Sequence, residues 1–144
     1  MPDSVLFYLA AVSVVFWGSL FLLWWWSGNQ NRSRIRALAR ARAGVSREHF
    51  IEHFRDREIP EVILAHVYAF FQGIMAAEVK NFPILPEDEI EKVYLLDMED
   101  LEFEVIEWAR KWKLKLPDAE SEHVYPVKTV EDLVKFLSSC RRER

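Results

Sequence analysis

Residues 5–26 read VLFYLAAVSVVFWGSLFLLWWW, and none of these 22 residues carries a charge. As an α-helix rising about 1.5 Å per residue, the run is roughly 33 Å long, against a bilayer core of about 30 Å. Ser13, Gly18 and Ser19 interrupt its apolar character, which a helix in lipid tolerates because its backbone bonds stay internal. Trp24, Trp25 and Trp26 close it, and indole rings suit the boundary between acyl chains and water. Residues 1–4 form a stub with Asp3 and no basic residue. A cleavable signal peptide has a basic start, a shorter apolar run and a small-residue cleavage site. The sequence therefore predicts an uncleaved transmembrane helix over Val5–Trp26.

Outward from that run, residues 27–47 carry Arg32, Arg34, Arg36, Arg40, Arg42 and Arg47 and no acid. The positive-inside rule then predicts a single-pass inner-membrane protein, N-terminus outside and the remainder cytoplasmic. The arginines act as a topology signal or as contacts to anionic lipid, so the lipid bilayer is an expected partner. Ile35, Leu38, Arg42 and Val45 fall at helical spacing.

Charge divides along the chain. Residues 1–47 hold six Arg against Asp3, a net of +5, while residues 48–144 hold 13 Lys and Arg against 22 acids, a net of −9. An acidic domain is a poor nucleic-acid binder, because phosphate contacts need clustered Lys and Arg. It suits a basic protein surface. Cys140 is the one cysteine, so neither an intramolecular disulfide nor a cysteine-based zinc site can form.

The acidic part reads as a small all-α bundle of four or five helices. Ser46 is an N-cap candidate, with Phe50, Ile51 and Phe54 on one face of the stretch that follows. Pro60 suits the first turn of a helix whose stripe of Val62, Ile63, His66, Val67, Phe70, Phe71, Ile74 and Met75 runs toward residues 77–80. Residues 81–97 begin as a proline-broken acidic loop. From Met98 to about Leu114, Leu101, Val105, Trp108 and Trp112 share a face, and Pro117 ends the run. After a polar loop over 118–128, Thr129 and Asp132 make a capping-box variant ahead of Val130, Leu133, Val134 and Leu137. No convincing strand pattern is present.

Two patterns bear on chemistry. His49, Glu52 and His53 spell H-x-x-E-H, the inverted zincin signature. A working site needs a third protein ligand and room for substrate, so a surface helix packing through its aromatics is the simpler reading. His66 falls within an apolar stripe and reads as a core or boundary histidine. The four glycines at 18, 28, 44 and 73 make no phosphate loop, and the acids from Glu87 to Glu107 match no EF-hand spacing. No catalytic residue, cofactor or metal is expected.

The stretch PEDEIEKVYLLDMEDLEFEVIEWARKWKLKLP, residues 86–117, resembles the middle of an acyl carrier protein. Ile90 and Tyr94 align with the family's apolar loop positions and Asp97 with its motif aspartate. Val105, Trp108, Trp112 and Leu116 align with the core of the second helix, and residues 129–137 resemble the final helix. The likeness spans about residues 60–140. The phosphopantetheine serine falls on Met98, which has no hydroxyl, and the family's glycine falls on Leu95. The resemblance thus implies a carrier-like fold without its prosthetic group. In working carriers the acidic second helix docks onto basic surfaces of enzymes, so the resemblance implies partner docking through Glu99, Asp100, Glu102, Glu104 and Glu107. The expected function is a membrane-tethered, non-enzymatic docking module. Rival readings are a carrier modified elsewhere, a small zinc hydrolase on His49, Glu52 and His53, and an assembly subunit of a membrane complex.

Overall fold

A computed structural model describes residues 2–117 and 126–142. The chain divides into two units, residues 1–38 and 39–144.

The first unit consists of most of helix α1 (Pro2–Ala41). The helix does not stop at Trp26 but continues through the polar residues 27–31 and the arginines beyond. Alanine, leucine and arginine are strong helix formers, and they dominate residues 34–41. Consecutive residues Val14, Val15, Phe16 and Trp17 are all exposed, at 72%, 68%, 58% and 69%.

The transmembrane assignment of residues 5–26 does not hold: among the described residues, no helix is long and apolar enough to cross a membrane. Within residues 5–26, Ser13, Gly18, Ser19 and the indole N–H groups of four tryptophans lower the apolar character. Polar residues 27–31 follow at once in the same helix. The single-pass inner-membrane placement, with its outside N-terminus and cytoplasmic domain, falls with that assignment.

In the second unit, α1 ends in a turn in which Gly44 takes φ +97°, a conformation that suits glycine. Helix α2 (Arg47–His53) follows Ser46, as its capping signal predicts. It buries Phe50, and Phe54 just beyond it, with their rings edge to face at 5.2 Å. Helix α3 (Glu61–Met75) buries Ile63, Leu64, Val67, Phe71 and Met75 and stops a turn earlier than its apolar stripe suggests.

The acidic loop is more ordered than its composition implies. Phe82 and Ile84 are fully buried, and a single π-helical turn (Ile90–Tyr94) buries Ile90 and Tyr94. Helix α4 (Met98–Trp112) starts where Asp97 accepts a 2.8 Å hydrogen bond from the Asp100 N–H. It buries Leu101, Val105, Trp108 and Ala109.

Lys113, left-handed at φ 53°, ends α4. Strand β1 (Leu114–Lys115) then pairs antiparallel with β2 (Arg141–Arg142), Leu114 opposite Arg142. This small ribbon is a correction to the strand-free reading. Two residues per strand are too few to leave a period-two signal in sequence. Helix α5 (Val130–Ser139) lies between the two strands in sequence and carries the predicted cap, Thr129 and Asp132 each accepting from the other's N–H. Its Val130, Leu133, Val134 and Leu137 are completely buried. The predicted loop positions 118–125 lie outside the described residues.

Candidate functional site

A cavity of about 800 Å³ opens between α4 and α5. Met98, Leu101, Val105 and Ile106 line it from α4, and Leu133 and Phe136 from α5. These α4 positions step by three, four and one, so one helical stripe faces the opening. Leu116, Pro117, Pro126 and Val127 also line it, together with the charged residues Glu89, Glu91, Glu102 and Lys128. Among the described residues the lining contains no serine, threonine, cysteine or histidine, and it offers apolar surface and negative charge.

Met98 occupies the first residue of α4, directly after the Asp97 cap, and lines the opening at 36% exposure. Two residues before that cap, Leu95 is left-handed at φ 55°. That conformation suits glycine and costs a leucine roughly 1–2 kcal/mol.

The acids named from sequence separate around α4. Glu102 borders the cavity. Glu99, Asp100 and Glu102 are exposed and Glu104 is half-buried. Glu107 holds Arg110 at 2.7 Å. Phe103 and Ile106 stand exposed among them, at 65% and 40%. Among the described residues neither Glu91, Glu99 nor Glu102 has an ion-pair partner, whereas Glu89 holds Lys92 at 2.7 Å.

The arginines behave differently from one another. Arg42, placed in a surface stretch by its neighbours, turns inward. Its guanidinium engages both carboxylate oxygens of Asp88, one at 2.9 Å, and donates to the Pro83 carbonyl at 3.2 Å. It also lies 5.7 Å over the Phe82 ring. Asp88 is buried and additionally accepts from the Tyr94 hydroxyl at 2.7 Å and the Leu85 N–H at 3.0 Å. Burial and the Asp88 carboxylate drive the Tyr94 hydroxyl well above the ordinary phenol range. Arg34, Arg36, Arg40 and Arg47 are exposed, as is Arg32.

Sequence reasoning places Asp88 in a proline-broken acidic loop and misses this pair. The usable signal was Arg42 itself, which shares a helical stripe with the apolar residues Ile35, Leu38 and Val45.

The H-x-x-E-H residues are engaged separately. His49 Nδ1 accepts from the Ser46 N–H at 3.2 Å, and His53 Nε2 lies 3.3 Å from Glu131. Glu52 contacts Arg55. Among the described residues, no group of three potential ligands gathers in a way that could hold a metal ion. Glu131 receives hydrogen bonds from Lys135 and Arg57, which hold its pKa down to about 2. His66 sits edge-on to Trp108 and Trp112, with ring centroids 4.9 and 4.7 Å away. Its pKa is lowered by burial, then by Lys111, so neutral imidazole is the stable form there.

No family model, no characterised protein and no solved structure matches this chain.

Proposed function

We propose that residues 39–144 form a non-catalytic docking module, carrier-like in pattern but without a prosthetic group, that presents α4 to a basic protein partner. What supports the reading is the division of α4 into two faces. Leu101, Val105, Trp108 and Ala109 anchor it in the core. Outward, Glu99, Asp100 and Glu102 surround exposed Phe103 and Ile106. Charge then steers the encounter and sets orientation, while the exposed apolar pair supplies burial on contact. Left-handed Leu95, at the position where carriers have glycine, is consistent with the same loop geometry.

The test is capture from detergent extract by the intact chain and by a Glu102→Lys/Glu104→Lys variant. The proposed partner is held by the first, lost by the second, and released as ionic strength rises to about 0.5 M, where exposed charges are screened. A protein bound equally by both, at all salt concentrations, would remove α4 as the docking face.

A further inference from the structure

The apolar cavity beside α4 has a chemistry more specific than an acidic face. Its lining draws on two helices, with Met98, Leu101, Ile106, Leu133 and Phe136 among them. Pro117 and Pro126 also line it, and proline donates no backbone hydrogen bond. An added β-strand draws its affinity from main-chain hydrogen bonds, whereas a helix satisfies its own backbone and offers only side chains. The lining therefore suits a helix laying an apolar stripe into a groove.

The charged lining residues settle the charge of that helix. Three carboxylates, Glu89, Glu91 and Glu102, line the groove with one cation, Lys128. Lys92 pairs with Glu89, which leaves Glu91 and Glu102 without ion-pair partners among the described residues. An occupant bearing Lys or Arg along both borders of an apolar stripe would complement them, and an acidic one would be repelled.

We propose that the groove between α4 and α5 binds a basic amphipathic helix of a partner protein, its apolar side chains against Met98 and Ile106 and its cations against Glu91 and Glu102. The inference rests on the docking reading above and names the form its partner takes.

The experiment titrates three labelled 18-residue peptides into the full-length protein and follows fluorescence anisotropy. One peptide is a Lys/Leu amphipathic helix, one has the same composition scrambled, and one replaces every Lys with Glu. The Lys/Leu helix is expected to bind saturably at one per chain, at least about tenfold more tightly than either control. Met98→Ser/Ile106→Ser alters only partly exposed side chains and is expected to weaken it by about tenfold. Glu91→Lys/Glu102→Lys is expected to do the same and to remove the salt dependence.

Equal binding of the scrambled peptide, or no effect of Met98→Ser/Ile106→Ser, overturns the groove while leaving charge-driven docking standing. No effect of Glu91→Lys/Glu102→Lys, together with undiminished partner capture by Glu102→Lys/Glu104→Lys, overturns both. Equal binding of the Glu/Leu helix overturns the charge preference. Circular dichroism of each variant, matching the parent, assigns any loss to the groove rather than to unfolding.

Discussion

At the scale of single residues, conformation and charge depart from what composition suggests. Leu95 is half exposed yet left-handed, so its side chain gains little burial to offset the clash of its Cβ with the backbone. Leu95→Gly is expected to raise stability by about 1 kcal/mol, the relief of strain exceeding the extra freedom glycine has when unfolded. A urea melt with an unshifted or lower midpoint would show that the leucine side chain contributes more than its conformation costs. The cap of α5 is readable by contrast: Thr129 stands directly before an apolar periodic run and accepts the expected N–H bond. A cap is encoded within four residues. The inward turn of Arg42 depends on Asp88, 46 residues away, and no local pattern reports such a distance.

At the scale of elements, the loop before α4 is held by polar bonds as much as by apolar burial. Asp88 collects Arg42, Tyr94 and Leu85, so one carboxylate ties together the residue just after α1, the last residue of the π-helical turn and the bend between them. Removing one partner of a buried pair costs about 3–5 kcal/mol, because the other charge is left without compensation. Asp88→Asn is expected to lie at the lower end, near 3 kcal/mol, since Asn retains one acceptor for Tyr94. Pairing Asp88→Leu with Arg42→Met should recover only part of the loss, because the Tyr94 hydroxyl and the Leu85 N–H then lose their acceptor. Chemical denaturation of the single and double variants checks both values, and a single-variant cost under about 1 kcal/mol would show the pair to be solvated. Helices α3, α4 and α5 were legible because their stripes repeat over ten or more residues. The π-helical turn and the β1–β2 ribbon were not, being shorter than either period needs. The membrane reading of residues 5–26 failed on another count. The run 5–26 carries no charge, yet among the described residues no helix is long and apolar enough to cross a membrane.

At the scale of the whole molecule, titration sets the acid limit of stability. Glu131 has a folded pKa of about 2 against an ordinary 4.5. Its contribution is therefore complete above about pH 4.5 and is lost as pH falls toward 2. His66 is lowered from 6.5 by burial, so the folded state binds its proton less readily, and stability begins to fall as pH drops below that value. Both act in the same direction. The thermal midpoint is expected to be flat between about pH 7 and 8, and to decline gently below 6.5 and again below 4.5. It is also expected to fall at alkaline pH, where Cys140 and Tyr94, both raised in the fold, ionise more readily in the unfolded chain. Glu131→Gln should flatten the lower limb alone, and a lower limb unchanged in that variant would assign the acid loss to other carboxylates.

The first turn of α5 is finished by a distant piece of chain. Val130 donates to the Asp88 carbonyl at 3.0 Å, Glu131 to Pro86 at 2.8 Å, and Ile90 donates back to Lys128 at 2.9 Å. The amides that a helix start leaves orphaned are thus claimed by residues 86–90. Neither stretch can fray without the other: the hinge point that a proline-flanked, acid-rich segment would advertise is instead a rivet, and domain opening has to begin elsewhere.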